Sequence, residues 1–94
     1  KIGNKTPKVI ILTPTRELAT QVTEELKSFT SKRLKIRTVY GGTPLQGQIR
    51  EVKQGVDIVV GTPGRVLDLL SRKALTLTQI EYFVLDEADE MLEM

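Results

Sequence analysis

Cysteine and histidine are both absent from this chain. Disulfides, zinc fingers and thiol nucleophiles are therefore excluded, as are Ser-His-Asp triads and His-ligated zinc sites. Aromatic residues are scarce: two Phe, two Tyr and no Trp. Modules that grip single strands by base stacking need aromatic platforms. Phe29, Tyr40, Tyr82 and Phe83 read mostly as core positions, which argues against an OB-fold or an RRM-like module. No apolar run approaches the ~20 residues of a membrane span. Lys1-Ile2-Gly3-Asn4-Lys5 is not followed by an apolar signal core, so no secretory leader is expected. An intracellular location is expected, with no means of separating cytoplasm from nucleus. Any chemistry must use carboxylates, hydroxyls, Lys, Arg and backbone groups.

What is present is ordinary for a globular protein. The 94 residues are 39% hydrophobic and 28% charged, enough for one small core. The net charge of +2 conceals a split. Residues 1–47 hold nine Lys/Arg against three Asp/Glu, and residues 48–94 hold five against nine. From Glu81 to Met94 there are six acids and no base. The basic half suits a polyanion and the acidic end suits a cation, although charge on a solvated surface needs no role at all.

Short β-branched runs alternate with helical spacing along the whole chain. Val9–Leu12 is apolar throughout, as in a strand buried on both faces. Leu18, Val22, Leu26 and Phe29 form one helical face. Ile36–Tyr40 alternates like a half-exposed strand near a sheet edge. Leu45, Ile49 and Val52 form a second helical face, with Gly55 as the expected C-cap. Asp57–Val60 reads as a third strand, closed by Gly61. Val66, Leu67 and Leu70 resume helical spacing. Thr76-Leu77-Thr78-Gln79 fits a capping box for a short turn. Tyr82–Leu85 reads as a fourth, buried strand. The fold class is α/β, a parallel sheet with flanking helices. Ligands of such sheets bind outside the carboxyl ends of the strands.

The chemistry-bearing residues gather at those ends. Thr13-Pro14-Thr15-Arg16-Glu17 passes from strand to helix, with Thr as a cap and Pro suited to the first helical position. A helix N-terminus attracts phosphate, and Arg16 adds a fork of donors. Thr62-Pro63-Gly64-Arg65 repeats the design. Gly64 bares the backbone for close approach. Asp68 follows on the face of Arg65, placed to orient it or to accept from a sugar hydroxyl. Gly41-Gly42 bares a third stretch of backbone. Together these suit one phosphate backbone crossing the rim, with weak sequence specificity. Asp86-Glu87-Ala88-Asp89 closes the fourth strand. Asp86 suits Mg²⁺ and Glu87 suits an attacking water, an arrangement for nucleoside triphosphate hydrolysis.

Pro14-Thr15-Arg16-Glu17-Leu18-Ala19, Gly41-Gly42, Thr62-Pro63-Gly64-Arg65 and Val84-Leu85-Asp86-Glu87-Ala88-Asp89 resemble four successive motifs of the DEAD-box ATP-dependent RNA helicases. They stand in that family's order and at about its spacing, from about Val9 to Met94. The resemblance implies a RecA-like domain with ATP-Mg²⁺ on one side and single-stranded or short duplex RNA on another. Asp86 would serve the Mg²⁺, Glu87 the hydrolytic water, and Asp89 the link between nucleotide site and domain closure. Pro14, Thr15, Arg16, Gly42, Thr62, Gly64, Arg65 and Asp68 would line the RNA path. Asp68 would face a ribose 2′-hydroxyl. The resemblance also places the four strands in the order fourth, first, third, second.

No GxxxxGK[ST] phosphate loop occurs. The resemblance therefore implies that residues 1–94 are a fragment of the N-terminal RecA-like domain, lacking the phosphate-loop strand and the second RecA-like domain. Such a fragment would expose an apolar sheet edge and would not hydrolyse ATP alone. Three rival readings stay open: a non-catalytic RNA- or protein-binding module, a DNA-directed helicase, and a flavodoxin-like phosphoacceptor with Asp86 at its strand end.

Overall fold

A computed structural model describes residues 6–30 and 32–86. Four strands form one parallel sheet: β1 (Val9–Leu12), β2 (Ile36–Val39), β3 (Ile58–Gly61) and β4 (Tyr82–Leu85). Three helices connect them: α1 (Arg16–Phe29), α2 (Leu45–Lys53) and α3 (Pro63–Ser71). The sheet order is β2-β3-β1-β4, as the family resemblance implied. This is the parallel sheet with flanking helices expected of the β-α alternation.

Strand pleating decides which residues meet which helix. Register aligns Ile10 with Val59 and Leu12 with Gly61, and Gly61 with Val39. These residues share one face. There they join Val52 of α2 and Val66 and Leu69 of α3 in the main core, with Ala74 and Leu75. The other face carries Val60 and Thr38. The Thr38 hydroxyl lies 2.7 Å from the Thr23 hydroxyl of α1, which places α1 on that side.

The face that α1 buries differs from the one its apolar spacing suggests. Ala19 and Thr23 are its buried residues, while Leu18, Val22 and Leu26 only flank the contact. Phe29 is 85% exposed and belongs to no core. Small side chains let the helix approach the sheet closely. Thr23 tolerates burial because its hydroxyl donates to the Ala19 carbonyl at 2.8 Å and pairs with Thr38.

Gly61 shows how tight the sheet is. A Cβ built there would lie 2.5 Å from both Cγ2 and the carbonyl oxygen of Val39, and 3.0 Å from Val66 Cγ2. No larger residue fits between β2 and α3 without a shift. The C-cap of α2 is Gln54 rather than the expected Gly55, which has φ +127° and stands two positions past the last helical residue Lys53.

Thr76-Leu77-Thr78-Gln79 leads into a short turn, which Ile80 N–H closes on the Leu77 carbonyl at 3.3 Å. One other expectation changes. Strand β4 is not buried. Tyr82 through Leu85 are all exposed, and β4 pairs only with β1 among the described residues. Tyr82 and Phe83 therefore are not core aromatics; they stand exposed on the strand at the end of the described sheet. No helix among the described residues is long and apolar enough to cross a membrane.

Candidate phosphate-binding rim

The registers end level with one another. Leu12 pairs with Gly61 and with Leu85, and Val39 pairs with Gly61. The residues after each strand therefore emerge along one line. In spatial order the row runs Tyr40–Thr43, Thr62–Arg65, Thr13–Arg16, then Asp86. Neighbouring strands lie about 4.8 Å apart, so three spacings separate its ends by about 14 Å. The two Thr-Pro segments are immediate neighbours, with the glycine turn on one flank and the acid on the other.

At the end of β1, Thr13 is fully buried and its hydroxyl donates to the Thr15 carbonyl at 3.1 Å. Thr15, not Thr13, is the N-cap of α1; its hydroxyl accepts from Leu18 N–H at 3.1 Å. Pro14 thus precedes the cap rather than opening the helix. The shift exposes Thr15 and Arg16 as the first residues beyond the buried strand end. The Arg16 guanidinium carbon lies 5.6 Å from the centroid of the Tyr40 ring. That distance is within cation–π range and ties the first segment to the glycine turn across β3.

At the end of β3, Pro63 is the first residue of α3, as the sequence suggests. Thr62 occupies the N-cap position but makes no capping bond with its side chain, so its hydroxyl is not committed to that role. A Cβ on Gly64 would meet nothing within 4 Å, so no neighbouring protein atom requires glycine there. Gly42 has φ +84°, a conformation that L side chains rarely adopt, and it too faces open space.

Arg65 does not pair with Asp68. It donates from Nη1 to Gln48 Oε1 at 2.9 Å and from Nη2 to the Thr43 carbonyl at 3.2 Å. Asp68 instead accepts from Arg72 Nε at 2.9 Å, one turn along the same helix. Arg72 lies an i,i+4 step from Asp68 on the helix surface, while Arg65 is engaged by Gln48 and Thr43. Its second carboxylate oxygen is left for another donor.

Asp86 is a half-buried turn residue directly after β4. Its N–H donates to the Leu12 carbonyl at 2.8 Å, which locks it beside the β1 end. Among the described residues no three Asp or Glu side chains gather into a metal cage. A lone carboxylate such as Asp86 suits an ion that takes its other ligands from water and phosphate, as Mg²⁺ does, rather than one needing a full protein cage. Glu87 and Asp89 lie outside the described residues.

Three residues of the rim escape the motif reading: Tyr40, Thr43 and Gln48. Each is tied to the glycine turn by hydrogen bonds or ring contact. Helical spacing marks Gln48 only as a polar neighbour of Ile49.

A second basic surface lies at the opposite pole. Lys27, Lys32, Lys35 and Arg37 border a concavity of about 450 Å³ near the start of β2. Arg37 Nε is engaged by the Gly55 carbonyl at 2.9 Å. Among the described residues, only the rim combines cations with bared backbone and helix N-termini.

Known proteins share this arrangement. A family model described as DEAD/DEAH box helicase matches residues 1–94. The chain is 60% identical over 86 residues to RNA helicase CrhR of Synechocystis, covering 90% of this chain and 18% of that protein. It is 54% identical over 90 residues to Nucleolar RNA helicase 2-A of Xenopus laevis, covering 96% of this chain and 12% of that one. The fold superposes on the crystal structure of a DEAD box protein from the hyperthermophile Methanococcus jannaschii with a TM-score of 0.87 and 52% identity. That match covers 99% of this chain and 26% of the other. The chain thus spans less than a fifth of the length of these two curated relatives. With the motifs in order, the sheet in the same arrangement and the match running from end to end, the chain belongs to the DEAD/DEAH box helicase family.

Proposed function

We propose that residues 1–94 form part of the first RecA-like domain of an ATP-dependent RNA helicase and carry its RNA-backbone rim and acidic motif. The observation that carries the reading is the level row of strand ends. It sets Arg16 and Arg65 on adjacent segments, with Gly42 and Gly64 baring backbone beside them. Pro14, Thr15, Thr62 and Asp68 complete the RNA path. Phosphate contacts of this kind position a strand without reading its bases. Asp68, with one carboxylate oxygen free of Arg72, would accept from a ribose hydroxyl and so favour RNA over DNA.

At the other end of the row, Asp86 would hold Mg²⁺ that arrives with ATP, and Glu87 would orient and deprotonate the attacking water. The Mg²⁺ so held would neutralise charge developing on the phosphoryl group of the nucleotide. Asp89 would couple that site to closure against a second RecA-like domain. The printed names of the relatives, both RNA helicases, support the same reading. The chain has no phosphate-loop motif, so alone it should leave ATP intact, and its few phosphate contacts should bind RNA only weakly.

ATP turnover by the longer helicase of which the chain is proposed to be part tests this, with and without single-stranded RNA, beside its Glu87→Gln variant. RNA-stimulated turnover that collapses in the variant is expected. Turnover indifferent to RNA, or none, would favour a non-catalytic binding module instead.

A further inference from the structure

Gln48 belongs to none of the strand-end motifs, yet it sits at the junction of two of them. We infer that Gln48 is a positioning residue of the rim. It locks the Arg65 guanidinium to the Tyr40–Thr43 turn, so that this cation and the Gly41-Gly42 backbone meet a phosphodiester ligand as one unit. The inference rests on the RNA-backbone reading above and extends it to a residue that reading does not use.

The hydrogen bonds define the role. Gln48 Oε1 accepts from Arg65 Nη1 at 2.9 Å. Gln48 Nε2 donates to the Tyr40 carbonyl at 3.1 Å and to the Thr43 hydroxyl at 2.7 Å. The Thr43 hydroxyl in turn donates to the Tyr40 carbonyl at 3.2 Å. Both amide donors and one acceptor position are thus engaged, and only one orientation of the amide satisfies all three partners. Gln48 lies in the first turn of α2. Helical side chains lean toward the helix N-terminus, which carries this one back over the turn it braces.

Arg65 gains a second anchor on the same turn, from Nη2 to the Thr43 carbonyl. These bonds use two of its five N–H donors and leave three for a ligand. A long cation fixed beforehand loses less freedom when a phosphate arrives. Gln48 touches no ligand in this scheme; it acts through Arg65 and the turn.

Substitution separates positioning from simple stability. Gln48→Met keeps the stem and removes all three bonds. Gln48→Glu keeps an acceptor for Arg65 but offers no donor to Tyr40, and it neutralises part of the Arg65 charge. The assay is fluorescence anisotropy of a labelled oligouridylate titrated with the chain at several salt concentrations. It covers the wild type, Gln48→Met, Gln48→Glu, Arg65→Ala and the Gln48→Met/Arg65→Ala double variant. Thermal melts accompany each.

Gln48→Met should weaken binding about threefold to tenfold, the scale of freeing one long side chain. Most of that effect should vanish in the Arg65→Ala background. Gln48→Glu should flatten the salt dependence by up to about 0.7 in log–log slope, one phosphate contact on a single strand. A residue that only stabilised the fold would leave that slope unchanged. Equal effects of Gln48→Met in both backgrounds, or wild-type affinity and slope in both Gln48 variants, would overturn the inference while Arg65→Ala still weakens binding. Wild-type affinity in Arg65→Ala, or no binding by the wild type, would overturn the RNA-backbone reading and the inference with it.

Discussion

Gly61 and Gly64 stand three residues apart in opposite surroundings: one has no room for a side chain and the other faces open space. At Gly61 an added Cβ would meet Val39 Cγ2 and the Val39 carbonyl at 2.5 Å and Val66 Cγ2 at 3.0 Å. The carbonyl is backbone of the adjacent strand and accepts from Thr62 N–H at 3.1 Å, so it cannot yield without disturbing the rim. Overpacking of this kind costs about 1–3 kcal/mol. For a domain of this size each kcal/mol moves the melting temperature by about 4–8 °C. Gly61→Ala should therefore melt about 4–24 °C lower. At Gly64 a Cβ meets nothing within 4 Å. Alanine in a helix is favoured over glycine by up to about 1 kcal/mol. Gly64→Ala should melt up to about 8 °C higher, yet bind RNA more weakly because its methyl occupies the space proposed for the ligand. Circular dichroism melts and anisotropy titrations of both variants measure the two quantities. An unchanged melting temperature for Gly61→Ala would refute the packing argument. Wild-type RNA affinity in a stable Gly64→Ala would refute the ligand argument.

Other substitutions probe separate parts of the account. Asp68→Asn breaks an exposed pair with Arg72, and such pairs contribute about 1 kcal/mol at most. Its melting temperature should barely change while its preference for RNA over DNA oligonucleotides falls; an undiminished preference would remove Asp68 from the RNA path. Leu69→Ala empties a fully buried position of α3 and should cost about 2–5 kcal/mol. Urea titration would show the midpoint collapse, and a small shift would mean the core around α3 is looser than described. The apolar β4 edge should make the chain self-associate as concentration rises, and Val84→Lys should suppress this. Sedimentation velocity showing a monomer for the wild type at every concentration would contradict that.

Much of the architecture was legible before the structure because burial imposes simple periods. Val9–Leu12 and Ile58–Val60 are apolar runs of strand length, and parallel strands covered on both faces require nothing subtler. Pro63 marks the start of its helix because its missing donor costs nothing there, while Gly55 lies one residue beyond the C-cap Gln54 of α2. Where packing overrides apolarity, the reading shifts. In α1 the small residues Ala19 and Thr23 win the sheet-facing position over larger neighbours, and Phe29 is left in solvent. Strand β4 has the composition of a buried strand but an edge position, which composition cannot distinguish.

The rim was legible in part for a similar reason. Its residues follow strands directly, so strand assignment locates them. Their partners do not follow from spacing. Asp68 and Arg65 share a helix and opposite charge, yet each finds a better donor or acceptor elsewhere: Arg72 one turn on, and Gln48 from another helix. The Arg16–Tyr40 contact crosses an intervening strand and depends on the order β2-β3-β1. Hydrogen bonds between elements distant in sequence leave no periodic trace.

The most direct test of the central claim asks where a polyanion lands. The chain is small enough for its amide resonances to be followed individually while an oligouridylate is added. The account predicts that shifts concentrate at Thr15, Arg16, Gly41, Gly42, Gly64 and Arg65, on the level row of strand ends. Shifts confined to Lys27, Lys32, Lys35 and Arg37 at the opposite pole would contradict it, and the basic concavity there would become the binding surface instead.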